Sequence, residues 1–151
     1  MAISFYSADV KNVLLAKSAI RQWVSSAVYN EGLRMGHISV IQCSNLYLLD
    51  LNKRFLKHHH FTDVITFPIV ETGRVSGEIY ISVEQSARQA AEHKHHPQKE
   101  LQLLVIHGVM HLCGYSDKTK KQIKTMREKE MQYLNTRPEK LLLVSRETHG
   151  K

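Results

Sequence analysis

The chain has 151 residues, 42% hydrophobic and 23% charged, which suits one globular domain with its own core and excludes a disordered tail protein. Its two cysteines, Cys43 and Cys113, are too few for a disulfide framework or a four-cysteine zinc ribbon, so reduced thiols are expected. The net charge of +7 is uneven: Lys118 to Lys151 holds ten Lys and Arg against four Glu, and the preceding residues hold eleven against ten acids. That excess suits an encounter with nucleic acid, an anionic membrane or an acidic protein, with a solvated helix face and a loose basic tail as the plain alternative.

Taken in chain order, Ile3 to Tyr6 reads as a short strand, and Val10 to about Glu31 has helical spacing through Val13, Leu14, Ile20, Trp23, Val24 and Val28. Gly32 and Gly36 are expected to break it. His37 to Cys43 reads as a strand, and Ser44 is placed to cap a helix through Leu46, Leu48, Leu49, Asn52 and Phe55. Val64 to Val70 and Gly77 to Ser82 are strands whose short link favours antiparallel pairing. From Ser82 or Val83 to Lys94 the pattern turns helical, and Pro97 suits the first turn of another helix running to about Cys113. That helix is apolar on nearly every side and belongs in the middle of the protein. A final amphipathic helix, about Thr119 to Leu134, is expected to turn Ile123, Met126 and Leu134 inward. Pro138 should end regular structure, although Leu141 to Val144 must cover something or form an extra turn.

The sum is an α+β domain, a small mixed sheet packed with helices around a buried central helix. Residues 1–137 read as a single domain and 138–151 as a basic C-terminal extension. Leu101 to Gly114 contains Gln102, His107 and His111 and falls short of the roughly 20 apolar residues of a membrane span, so no membrane partner is expected. Met1 to Tyr6 lacks the pattern of a signal peptide, and a cytoplasmic location follows as the expectation.

The chemistry concentrates on the central helix. His107 and His111 lie four apart, so their imidazoles leave one face within reach of one ion. Gly114 permits a sharp turn, and Asp117 can swing its carboxylate back toward them. Two imidazoles and one carboxylate suit Zn2+ or another first-row divalent metal and leave a fourth position for water, as in catalytic zinc sites. In a chain with ten histidines, an HxxxH pair arises by chance about 0.6 times, whereas adding Gly and then His or Asp at the right offsets lowers this to about 0.003. Where a zinc peptidase would carry glutamate after the first histidine, this chain has Gly108, which disfavours peptide hydrolysis. Phosphodiester cleavage can proceed without that base.

The run His107-Gly108-Val109-Met110-His111-Leu112-Cys113-Gly114-Tyr115-Ser116-Asp117 resembles the HGxLHLxGYDH signature of the YbeY family, bacterial metal-dependent endoribonucleases of ribosomal RNA maturation. Leu51-Asn52, Phe55 and Thr62-Asp63-Val64-Ile65-Thr66-Phe67-Pro68 are similar to the family's LN...TDVLSFP, and Gly77-Glu78-Ile79-Tyr80-Ile81 to its GDIxI strand. The resemblance implies a four-stranded sheet, a zinc-type site, single-stranded RNA as substrate, and work on rRNA and the small ribosomal subunit in maturation and quality control. It implies a catalytic role, through bound metal, for His107, His111 and Asp117. Two positions depart from the family: Asp117 stands where its third histidine does, and Leu56 where an arginine usually follows the Phe55-equivalent aromatic.

Arg54, Lys57, Lys118, Lys120, Lys121 and Lys124 are the candidate RNA contacts. His58, His59 and His60, like His93, His95 and His96, could meet phosphates or form solvated loops, and Tyr115 and Phe61 could stack bases or belong to the core. Cys113 is better read as packing, about 200° around the helix from His111. Two rivals to a nuclease remain: a noncatalytic ribosome-assembly factor that binds RNA around a structural metal, and, less favoured, a metallopeptidase.

Overall fold

A computed structural model describes residues 2–56 and 62–148. Lys57, His58, His59, His60 and Phe61 therefore lie outside the described residues. The order of elements is β1 (Ala2–Ser7), α1 (Lys17–Asn30), β2 (Arg34–Cys43), α2 (Asn45–Leu51), a π-helical turn (Asn52–Leu56), β3 (Val64–Glu71), β4 (Arg74–Ser82), α3 (Val83–His93), α4 (Pro97–Leu112), α5 (Lys120–Leu134) and α6 (Glu139–Val144). The four strands form one mixed sheet in the order β1-β2-β4-β3. β1 and β4 both run parallel to β2, while β3 returns antiparallel along β4 in the register Val64 with Ile81 to Glu71 with Arg74. The expected hairpin therefore forms, and the sheet is mixed because helical crossovers supply the parallel neighbours.

Ile38, Val40, Ile79 and Ile81 of the central strands are buried against Ile20, Trp23, Val24 and Val28 of α1 and Leu104, Val105, Ile106 and Val109 of α4. Helix α4 is the central rod its composition predicts. Pro97 occupies its first turn, and the His96 side chain caps it by accepting from the Gln98 backbone N–H. Gly108 lies where α4 meets the sheet, and a Cβ there would stand 2.6 Å from Cγ2 of Ile79. The glycine permits the close contact of helix and strand.

Several elements differ from expectation for identifiable reasons. Helix α1 starts at Lys17, because the backbone before it is held by distant side chains. Gln42 Oε1 accepts from the Val13 N–H (2.8 Å), Gln98 Oε1 accepts from the Leu15 N–H (3.0 Å), and Gln98 Nε2 donates to the Val13 carbonyl (2.8 Å). Ala16 then takes a left-handed conformation just before the helix. Gly36 falls inside β2, where the register with β4 shifts between Met35 and Ile38, so the strand begins three residues early. Ile123 is only partly covered, lining with Met126 and Glu130 a recess shared with His107, while Met126, Tyr133 and Leu134 are buried. Beyond Pro138 the chain forms the six-residue helix α6, so of the two options for Leu141 to Val144 the extra turn is the one that forms. Leu141 and Leu142 are buried, and Arg137 joins Glu147 through two hydrogen bonds of 2.8 and 2.9 Å. Among the described residues, no helix is long and apolar enough to cross a membrane.

Candidate metal centre

Helix α4 ends in a Schellman turn: the Gly114 N–H donates to the His111 carbonyl and the Tyr115 N–H to the Met110 carbonyl, with Gly114 at φ 111°. This reversal brings Asp117 back over the last turns of the helix. Its Oδ2 lies 3.5 Å from Nε2 of His107 and 3.4 Å from Nε2 of His111, and the two Nε2 atoms are 3.1 Å apart. Ligands on a tetrahedral zinc, with arms of about 2.0–2.1 Å, stand roughly 3.3 Å from each other. The three donor atoms have that spacing.

The outward ring nitrogens are tied down. His111 Nδ1 lies 2.9 Å from the Tyr115 carbonyl and can only donate to it. His107 Nδ1 lies 2.5 Å from Oε2 of Glu130, on α5. With a proton on each Nδ1, both Nε2 atoms present lone pairs to one another and to a carboxylate oxygen, an arrangement of acceptors that calls for a cation. At His107 burial acts to lower the pKa, yet the hydrogen bond and charge of Glu130, with Asp63 and Asp117 behind it, outweigh burial and hold the imidazole above its ordinary value. The same negative surroundings favour positive charge at this point.

Two recesses flank the cluster. One, about 280 Å³, is lined by Asp63, Gln89, His93, Glu100, His107, Asp117 and Glu130 among others. The other, about 200 Å³, is lined by Asn52, Leu56, Thr62, Val64, Ile65, Thr66 and His111. Leu56 thus occupies the wall beside His111, and Arg54 does not reach it: its guanidinium lies 3.2 Å from Asp50 Oδ2 on the exposed side of the turn. Lys118, Lys120, Lys121 and Lys124 are exposed around the start of α5, close in sequence to Asp117. Lys57 falls outside the described residues.

Other candidates have structural partners. The Tyr115 hydroxyl donates to Glu31 Oε1 (2.6 Å), and Lys129 pairs with Glu31 Oε2 (3.0 Å). Cys113 packs against the core, and burial pushes its thiol up to about 12. Motif spacing alone does not single out Glu130 or Asp63. Glu130 nevertheless carries a legible signal, since it lies on the i, i+4 stripe between buried Met126 and Leu134, where a carboxylate needs a partner. Gly108 points its Cα at the sheet, so a glutamate there would strike Ile79 and could not serve the cluster.

These features define an α+β domain with a histidine and carboxylate cluster on a buried central helix. A family model described as Endoribonuclease YbeY matches residues 5–137. The chain belongs to the YbeY family. It is similar to the Endoribonuclease YbeY of Parabacteroides distasonis, 34% identical over 139 residues that make up 92% of this chain and 98% of that protein. The Endoribonuclease YbeY of Flavobacterium psychrophilum is 41% identical over 108 residues, 72% of this chain and 77% of that one. The solution structure of TM1509 from Thermotoga maritima matches with a TM-score of 0.64 and 29% identity, covering 95% of this chain and 91% of that chain.

Proposed function

We propose that this protein is a metal-dependent endoribonuclease that cuts single-stranded RNA in the maturation and quality control of rRNA, acting on the small ribosomal subunit in the cytoplasm. The observation that carries the reading is the triangle of donor atoms with sides of 3.1, 3.4 and 3.5 Å, which has the edge lengths of a zinc site and can exchange a shared proton for a divalent cation. Family membership and the names of the relatives support RNA as substrate.

In this reading His107, His111 and Asp117 hold Zn2+ or a similar first-row cation. Once bound, such an ion supplies Lewis-acid stabilisation of charge on a phosphodiester and lowers the pKa of water toward neutrality. The chain's own residues do the rest. The Tyr115 carbonyl and Glu130 keep a proton on each Nδ1 and so hold both Nε2 atoms ready to ligate. The exposed lysines at the start of α5 add positive charge to the positive end of the helix dipole, which favours phosphate there. Cleavage of a single-stranded rRNA fragment by metal-loaded wild type, His111→Ala and Asp117→Ala, with metal content measured in parallel, tests the proposal. Loss of both metal and cleavage on removal of His111 is expected. Full metal-dependent cleavage by that variant would refute it.

A second reading, a noncatalytic RNA-binding assembly factor with a structural metal, is favoured by Leu56, which puts an aliphatic side chain on the wall beside His111. RNA capture that persists without the ligands, with no cleavage by wild type, would select it.

A further inference from the structure

The junction of α3 and α4 gathers a second set of ligating side chains that the nuclease reading does not use. His93 ends α3, Lys94 reverses the chain in a left-handed conformation (φ 57°), and Glu100 lies in the first turn of α4. Nδ1 of His93 and Nδ1 of His95 stand 3.1 and 3.0 Å from the same oxygen, Oε1 of Glu100. One ligand atom from each of the three lies within 4.8 Å of the others.

The carboxylate is the informative member. Its side chain is 1% exposed, and a carboxylate so far from water is costly without compensating positive charge. Each imidazole supplies one hydrogen bond to Oε1, and a bound cation would set a full positive charge against the carboxylate. A second, independent observation concerns Gln89, one turn before His93 on α3: its Oε1 is buried with no hydrogen-bond partner among the described residues. Gln89, His93 and Glu100 line the same recess. Two imidazoles and a carboxylate are a ligand set for a borderline first-row cation, and the orphaned amide oxygen belongs to the same recess.

We propose that His93, His95 and Glu100 bind a second divalent cation of the zinc class, with Gln89 Oε1 as an accessory oxygen, and that this ion clamps α3 to α4. The present nitrogen-to-oxygen separations need to open only to the roughly 3.3 Å edge of a tetrahedral zinc site, each ring moving its proton from Nδ1 to Nε2 so that Nδ1 offers a lone pair. His93 is half-exposed, which leaves the ion a route from solvent. Glu100 precedes His107 by two helical turns, about 10 Å along the axis. Paired catalytic metals stand roughly 3.5–4 Å apart, so the second ion is a clamp on the wall of the recess and takes no part in a bridged pair.

Equilibrium dialysis of the full chain against Zn2+, with elemental analysis, tests this in a background where His58, His59 and His60 are replaced by alanine. Two equivalents are expected. The pair His93→Gln and His95→Gln should lose one of them, and the pair His107→Ala and His111→Ala the other. A single equivalent lost only with His93 and His95 would sustain the clamp while sinking the nuclease centre. A count unchanged by His93→Gln and His95→Gln would overturn the clamp and leave that centre standing. Imidazole NMR of the unmutated chain guards against misfolded variants: Zn2+ should shift the His93 and His95 ring signals, and unmoved signals would also overturn the proposal.

Discussion

Replacing Glu147 by glutamine probes the contact that fastens the end of the chain to the core. Glu147 accepts from Arg137 through both oxygens and from the Ser145 hydroxyl (2.7 Å), with Lys99 3.3 Å away. Burial opposes ionisation, but these partners outweigh it and hold the carboxyl at about 2, against an ordinary 4.5. At about 1.4 kcal/mol per tenfold, that difference corresponds to about 3 kcal/mol of stability at neutral pH. The side chain is 26% exposed, and solvent screening lowers the expected loss in Glu147→Gln to about 2 kcal/mol.

The sign of the pH dependence follows. A depressed carboxyl pKa stabilises the folded state above the unfolded value, and the benefit drains away as pH falls from about 5 through about 2. The gap between wild type and Glu147→Gln should therefore be widest at pH 7 and roughly halved by pH 3. Urea denaturation of both proteins across that range measures it, and the gap at pH 7 should appear as a melting-temperature loss of about 4–8 °C. A gap that stays constant with pH, or is absent at pH 7, would refute the assignment of this stability to the Glu147 charge.

Glu130→Gln should keep the fold and weaken metal affinity about 10- to 100-fold, as read by competition with a chelating dye, because the carboxylate that holds the His107 tautomer is gone. Gly108→Ala should destabilise by about 1–3 kcal/mol in denaturant titration, since its Cβ must displace buried Ile79. Replacing Lys120, Lys121 and Lys124 by glutamine should lower the salt slope of RNA binding by about 0.7 for each phosphate no longer neutralised, and an unchanged slope would return these lysines to plain solvation.

What the sequence made legible was whatever depends on near neighbours. The buried α4, its proline start and glycine stop, the β3–β4 hairpin and the clustering of His107, His111 and Asp117 all follow from spacings within about ten residues. What it concealed depends on partners far along the chain. The residues before α1 have helical spacing, yet Gln42 and Gln98, 29 and 83 residues away, claim their backbone groups. Local spacing leaves an extra turn beyond Pro138 as one of two options, and the burial of Leu141 in the core decides for it. Glu130 reaches the centre from a separate helix, 23 residues beyond the ring it holds. Ile123 shares the apolar spacing of α5 but lines the recess beside His107, which leaves it partly uncovered.

The difference in anchorage among the three ligands has a consequence for ion capture. His107 and His111 hang from adjacent turns of one rod wedged against the sheet, whereas Asp117 rides on the loop beyond it and is 39% exposed. The centre is thus a vice with two fixed jaws and one hinged jaw. Under the proposed metal binding, an arriving ion would meet a ready-made bite set by helical pitch, and its retention would turn on how firmly the hinged acid closes behind it.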